Sequence, residues 1–275
     1  MDFRQLYKFN QYLINIAGYI RYVQCFFFDH RRFSVVKRNR SLISKENRKK
    51  TCYICALGPS LKKVDLMKIK GDTIVVNLFH KIGSLYPEFV PTYYLIVDKG
   101  FITPKHWDNF KDAFDAYLNK GCKYIIHSGC EKFISSHYGK DNDSIFYVSQ
   151  FKGRFNHNKK LMIDHIMPSL GNVASTAIGC AIAMGYKKIV LLGCDFNSFA
   201  SRVSSHCYEE KENARRITLG FELFSYSFIA KLHEELSEYA NKHNIEIVNS
   251  TKGSLIDAYP YKIDQSLYFD DSSIN

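Results

Sequence analysis

With 275 residues, 46% of them hydrophobic, the chain can bury one sizeable core, which excludes a disordered polypeptide and makes one compact domain with an appendage the expectation. Its net charge of +11 is held unevenly: residues 1–50 carry 12 Lys and Arg against 3 Asp and Glu, a net of +9, which leaves only +2 for residues 51–275. A body so nearly balanced lacks the basic stripes of a general nucleic-acid binder, and no nucleic-acid partner is expected.

The first element is an apolar stretch from Gln11 to Phe28, interrupted by Asn15, Arg21 and Gln24. A membrane-spanning helix needs about 20 mostly apolar residues and tolerates a central Arg poorly. Leu13, Ile14, Ala17, Ile20 and Val23 fall instead at helical spacing, which predicts an amphipathic helix lying in a membrane interface. Nine basic residues follow between Arg31 and Lys50, the form of an anionic-lipid anchor on a cytoplasmic leaflet. No small-residue cleavage site follows, which argues against a signal peptide. Residues 1–50 are therefore expected to be a basic, membrane-associating helix and linker, placing the protein in the cytoplasm at the inner face of the cell membrane. The alternative is a helix packed on the body or on a partner subunit, followed by a solvated linker.

From residue 51 to residue 275 short apolar, β-branched runs alternate with helical stretches. Strands are predicted at 52–57, 73–77, 93–97, 123–127, 145–148, 188–192 and 245–248, and helices at 104–119, 172–184 and 221–243. The alternation predicts an α/β fold, a Rossmann-like, mostly parallel sheet with helices on both faces. The eight cysteines fall mainly in apolar runs and read as reduced core residues; Cys52 and Cys55, three apart on a strand, point to opposite faces and are a poor zinc site. A polar, basic stretch from residue 149 to residue 169 lacks periodicity and reads as an active-site lid or a disordered excursion, with Arg154, Lys159 and Lys160 suited to neutralising a phosphate.

Several strand ends carry chemistry. After the first strand, Gly58, Pro59 and Ser60 make a turn whose backbone amides suit a phosphate, with Ser60 able to cap the next helix. The next two strands end in Asn77 and Asp98, where an open parallel sheet borders its ligand crevice, so both are candidates to read a base or ribose; ordinary strand-end turn chemistry is the alternative. Gly171 and Asn172 precede a helix rich in Ala and Gly and offer a second phosphate cradle. Asp195 follows a buried strand at its ligand-facing end, and His206, eleven residues later, is an imidazole placed to accept a hydroxyl proton. These two are the catalytic candidates. Asp141, Asn142 and Asp143 fit the DxD pattern of metal-dependent sugar transferases but sit in what reads as a polar turn, so no metal site is assigned.

The GPSL turn at Gly58, the strand ending in Asn77, the Gly171-Asn172-Val173 helix running into Gly185-Tyr-Lys-Lys-Ile-Val-Leu-Leu-Gly-Cys-Asp195-Phe, and His206-Cys-Tyr208 occur in an order that resembles the MptE-like (hydroxymethylpterin diphosphokinase-like) superfamily. That group includes motility-associated glycosyltransferases and is related in fold to bacterial single-domain sialyltransferases. The resemblance implies that Gly58, Pro59, Ser60, Asn77 and Asp98 face a nucleotide, Gly171 and Asn172 its phosphate, and that His206 is the general base. It further implies that Asn249 to Leu255, with Ser250 and Thr251, closes over the phosphate. Leu57 departs from the sialyltransferase pattern, which has an asparagine there, and so separates this chain from strict CMP specificity. The resulting expectation is an inverting, nucleotide-sugar-dependent glycosyltransferase of bacterial surface polysaccharide or glycoconjugate synthesis. It would use a glycan or lipid-linked acceptor and a donor that includes CMP-linked sugars among its candidates, and would require no cofactor. The alternatives are a Mg²⁺-dependent diphosphokinase with Asp98 and Asp195 as ligands, and a non-catalytic nucleotide-binding scaffold. The oligomeric state stays open, a homo-oligomer included.

Overall fold

A computed structural model describes residues 2–28, 30–155, 157–200, 206–208 and 217–269. In chain order the elements are α1 (Phe3–Phe28), α2 (His30–Lys37), β1 (Thr51–Cys55), β2 (Asp72–Val76), β3 (Tyr93–Ile96), α3 (Pro104–Trp107), α4 (Lys111–Asn119) and β4 (Lys123–His127). They continue with α5 (Glu131–Tyr138), β5 (Ile145–Val148), β6 (Gln150–Arg154), β7 (Met167–Ser169), α6 (Val173–Met184), β8 (Lys188–Leu192), α7 (Leu219–Lys242) and β9 (Glu246–Asn249). Seven of the strands form one parallel sheet in the order β5-β4-β3-β2-β1-β8-β9. The chain steps outward from β1 to β5, then returns through α6 to lay β8 on the other side of β1. The order reverses between β1 and β8, and in such sheets the crevice beyond the strand ends at the reversal is where ligands bind.

The strands are buried almost throughout, which is why they read as continuous Val, Ile, Leu and Tyr runs rather than as an alternation. Helix α6 lies against β1, β2 and β3, a contact its composition permits. A Cβ on Gly179 would come within 2.3 Å of the Leu170 side chain. Its ends are well defined. Asn172 accepts from the Ser175 amide at 2.9 Å in a reciprocal capping box, and Gly185 closes the helix at φ 101°.

Residues 30–50, read from sequence as a basic linker after the helix, pack on the body. Val36, Asn39, Leu42 and Asn47 are buried in the body, and three of the arginines among them are engaged there. Arg31 pairs with Glu131, Arg38 donates to the Lys140 and Asn142 carbonyls, and Arg40 meets Asp164 at 3.3 Å. Asn39 explains why the segment binds so firmly. Strand β5 is an outer edge of the sheet, and the Asn39 amide pairs with it as a neighbouring strand would. Its Nδ2 donates to the Tyr147 carbonyl at 2.7 Å and to that of Ile163 at 2.7 Å, and its Oδ1 accepts from the Tyr147 amide at 3.3 Å. Asn39→Ala would strand these buried backbone groups, and the expected loss is on the order of 3 kcal/mol of unfolding free energy, read as a lower urea midpoint. An unchanged midpoint would show that water replaces the amide without cost.

The stretch at 149–169, expected as a lid or a disordered excursion, forms the two-stranded parallel pair β6–β7. Two such short strands leave no period to detect in the sequence. Helix α1 packs on β6, with Tyr22 edge-on to Phe151 at 5.2 Å, and exposes Leu6, Phe9, Leu13, Ile16, Ile20 and Phe27. No helix among the described residues is long and apolar enough to cross a membrane. The Asp141-Asn142-Asp143 segment is a turn entering β5, opposite the crevice end of the sheet, with the Asn142 side chain accepting from the Ser144 amide at 2.9 Å. Seven of the eight cysteines (52, 55, 122, 130, 180, 194 and 207) are buried free thiols.

Candidate functional site

At the reversal between β1 and β8 the strand ends open into a cleft of about 1280 Å³. Its centre is a tight junction between two turns. The Gly58 amide donates to the Gly193 carbonyl at 2.9 Å, and the Ala56 amide donates to that of Leu192 at 2.9 Å. Asp195 locks the junction, taking the Ser60 amide at 3.2 Å on Oδ1 and the Ser60 hydroxyl at 2.7 Å on Oδ2. A Cβ on Gly58 would lie 1.9 Å from Asp195 Oδ2 and 2.6 Å from the Gly193 carbonyl. Gly193, at φ 67°, has its own Cβ position 2.4 Å from the Ala56 carbonyl. Both glycines are therefore required by close approach. Burial pushes the Asp195 carboxyl up from its ordinary range, against the opposing hydrogen bonds from Ser60.

On the β2 side, Asn77 stands at the strand end with φ 41°, a left-handed conformation that Asn tolerates better than most residues. Tyr94, fully buried on β3, holds it there. The Tyr94 hydroxyl donates to the Asn77 carbonyl at 2.7 Å and accepts from the His80 amide at 2.9 Å. His80 rests on Phe110 with ring centroids 4.6 Å apart, and burial, helped by Lys81, lowers its imidazole to about 4. On the opposite wall, Asn172 brings the α6 N-terminus and its positive dipole end to the cleft.

His206 reaches the same cleft through its neighbour. Cys207 is fully buried, and its amide donates to the Leu57 carbonyl at 2.8 Å, fastening this loop to the end of β1. The His206 ring stacks on Tyr208 at 4.9 Å, and Lys81 Nζ sits 4.5 Å from the centre of the Tyr208 ring. Residues 201–205 and 209–216, on either side, lie outside the described residues.

Of the residues singled out from sequence, Gly58, Asn77, Asn172, Asp195 and His206 line this one cleft. The others are placed elsewhere. Pro59 and Ser60 lie behind the turn, and Asp98 is exposed with its carboxylate accepting from the Gly100 amide at 2.8 Å. Gly171, at φ 82°, faces Leu232 of α7. Ser250 and Thr251 are buried supports rather than cleft walls: Ser250 Oγ accepts from the Asp264 amide at 2.9 Å and Thr251 Oγ1 from the Cys194 amide at 3.1 Å. Arg154 lies in β6, its side chain outside what is described, while Lys159, 5.6 Å from the Phe151 ring centre, and Lys160 follow it and do not line the cleft. The lysines that do are Lys81 and Lys105. Sequence reasoning passed over both, although Lys81 follows His80 only a few residues beyond the Asn77 strand end.

Sequence reasoning also passed over His233, a cleft residue on α7 that is 1% exposed, with Nδ1 3.0 Å from the Tyr259 hydroxyl. Burial lowers its imidazole to about 4. The unfolded chain therefore takes up a proton between about pH 6.5 and pH 4 that the folded chain refuses, so this contribution is complete above pH 6.5 and is lost on acidification. Between pH 7 and pH 4.5 it should remove about 2–3 kcal/mol of stability. Denaturant titrations across that range should give a flatter pH dependence for His233→Phe than for the unaltered protein, and parallel curves would contradict the assignment.

Among the described residues lining the cleft, Asp195 is the one carboxylate, set against Lys81, Lys105 and four imidazoles. A Mg²⁺ ion on a diphosphate takes oxygen ligands, carboxylates above all, and these walls offer only one, already bonded by Ser60. Among the described residues a cluster with metal-ligand composition, His157 with Glu235 and Glu238, lies outside the cleft.

The seven-stranded parallel sheet, with a cleft at its reversal point, defines an α/β protein of Rossmann-like fold. Residues 30–199 match the family described as 6-hydroxymethylpterin diphosphokinase MptE-like, and the chain belongs to that family. The match begins at α2, in keeping with the burial of residues 30–50 in the body. Among solved structures it is similar to the monofunctional α-2,3-sialyltransferase Cst-I from Campylobacter jejuni, with 15% identity, a TM-score of 0.50, and coverage of 83% of this chain and 85% of that one. The sialyltransferase CstII from Campylobacter jejuni, in complex with the substrate analogue CMP-3FNeuAc, is similar at 15% identity and a TM-score of 0.47, over 80% of this chain and 89% of that one. At these identities the likeness is one of fold. No curated protein matches the sequence.

Proposed function

We propose that the protein is a nucleotide-sugar-dependent, inverting glycosyltransferase acting in bacterial surface polysaccharide or glycoconjugate synthesis. The observation that carries this reading is the meeting of Asn77, the α6 N-terminus, Lys81, Lys105 and His206 in one cleft. Asn77 and the Gly58 turn hold the nucleotide. Lys81, Lys105 and the helix dipole offset the charge of its phosphate. The acceptor oxygen attacks the anomeric carbon as the bond from that carbon to the phosphate oxygen breaks, and the phosphate leaves with the electron pair. His206 takes the hydroxyl proton, and attack opposite the leaving group inverts the anomeric configuration. Asp195 acts as a positioning residue, since both of its oxygens bond Ser60 and hold the two turns together.

The diphosphokinase alternative requires Mg²⁺ on its diphosphate. A thermal-shift panel of nucleotides and nucleotide sugars separates the two, since a ligand of the native state raises the melting temperature by mass action. Stabilisation by a nucleotide sugar in EDTA is expected. Stabilisation by ATP alone, and only with Mg²⁺, would replace this reading with the kinase.

The exposed face of α1 favours work at a membrane surface on a lipid-linked acceptor. Co-sedimentation with vesicles containing phosphatidylserine should weaken about tenfold or more for Leu13→Glu with Ile20→Glu, given the cost of placing charge in the interface. Equal sedimentation of variant and unaltered protein would remove the membrane from the proposal.

A further inference from the structure

Beyond the end of β8 one part of the cleft wall, the β8–α7 lobe, is formed by Phe196, Asn197, Ser198, Tyr226 and His233. Phe196, at φ 57°, packs on Tyr226 at 4.4 Å and meets the His233 ring edge-on at 5.8 Å. The Ser198 and Tyr226 hydroxyls are bonded at 2.5 Å. Aromatic faces with a few fixed polar groups are the ordinary lining of a small-ligand subsite.

Packing alone does not account for His233. The helical pattern of α7 turns it inward beside Leu232 and Leu236, yet Nε2 has no hydrogen-bond partner among the described residues. A buried polar nitrogen left in that state costs about 1–3 kcal/mol, and a Phe would fill the same space without the cost. Tyr259 fixes the ring through Nδ1, so the orientation of Nε2 is set within a residue that lines the lobe.

We propose that this β8–α7 lobe is the acceptor subsite for a saccharide, and that His233 Nε2 reads one hydroxyl of that saccharide, making His233 a specificity-determining residue. A hydroxyl is the partner that fits, because it both donates and accepts and so satisfies Nε2 in either tautomer that Tyr259 allows. Nε2 is closed off from solvent, so the side chains beside it, Phe196 among them, shift to admit the sugar. The inference rests on the glycosyltransferase reading, which supplies the need for two adjacent sites.

The test is binding, not turnover. Protein labelled with ¹⁵N-histidine is titrated with methyl glycosides of galactose, glucose, N-acetylglucosamine and N-acetylgalactosamine, with and without the nucleotide that stabilises it best, while long-range ¹H–¹⁵N spectra follow His233. One glycoside is expected to bind and shift Nε2. His233→Phe should weaken its binding about three- to tenfold, His233→Gln should recover part of the loss, and nucleotide affinity should stay unchanged. The monodeoxy glycoside lacking the hydroxyl that is read should bind the unaltered protein as weakly as the parent binds His233→Phe. A melting temperature for His233→Phe at or above the unaltered value shows that the fold survives. The proposal is overturned if none of the four glycosides binds, or if one binds equally to His233→Phe with the His233 signal unmoved. A glycoside that moves His233 in a protein that binds no nucleotide would leave this site standing and remove the transferase reading instead.

Discussion

His206→Ala is expected to lower turnover by about two to four orders of magnitude while leaving nucleotide affinity nearly intact. The split follows from how the residue is held. The loop is fastened by the Cys207 amide on the Leu57 carbonyl and by burial of the Cys207 side chain, neither of which involves the imidazole. Removing the ring therefore removes a proton acceptor and one face of the Tyr208 stack but not the loop position. Groups proposed to hold the nucleotide, Asn77 and the Gly58 turn, depend on Tyr94 and Asp195 instead. Steady-state rates at saturating donor, with the nucleotide dissociation constant measured separately, check both halves. Undiminished turnover would exclude His206 as the base, and equal losses in rate and affinity would make it a structural residue.

Gly58→Ala should be a strongly damaging single-methyl change. The new Cβ would lie 1.9 Å from Asp195 Oδ2, which must move, breaking its bonds to the Ser60 amide and hydroxyl. It would also lie 2.6 Å from the Gly193 carbonyl, which is backbone and has little freedom, since it already accepts from the Gly58 amide at 2.9 Å. The expected loss is about 3 kcal/mol or more, with nucleotide affinity falling at the same time. The double variant with Asp195→Ala sharpens the test: it clears the carboxylate contact but not the backbone one, so at most part of the stability should return. Full recovery would mean that the carboxylate alone sets the requirement for glycine, and wild-type stability for Gly58→Ala would contradict the packed junction altogether.

The parallel sheet was legible because its strands are buried on both faces and so leave continuous apolar runs, as at Ile74 to Val76 or Ile189 to Leu192. What sequence could not show were contacts whose partners lie far along the chain. Asn39 looks like one more polar residue in a basic linker until β5 supplies the edge that it pairs with. The β6–β7 pair is too short and polar to carry a period. At the site, glycines and strand-end residues such as Gly58, Asn77, Asn172 and Asp195 stood out because turn geometry restricts what can occupy those positions. Lys81, Lys105 and His233 did not, since a loop lysine or a helical histidine becomes notable only when the fold brings it to a cleft. Ser250 and Thr251 show the converse: polar residues in a suggestive segment whose hydroxyls are spent inside the protein, on the Asp264 and Cys194 amides.

Transfer of a sugar from a nucleotide in this cleft, without a metal ion, is tested most directly by incubating the protein in EDTA with the nucleotide sugar that stabilises it and a saccharide acceptor. Products are followed by mass spectrometry and anomeric NMR. Release of the nucleoside phosphate together with a glycoside of inverted anomeric configuration is the expected result. Absence of sugar transfer, with AMP formed from ATP and a pterin alcohol only when Mg²⁺ is restored, would contradict it.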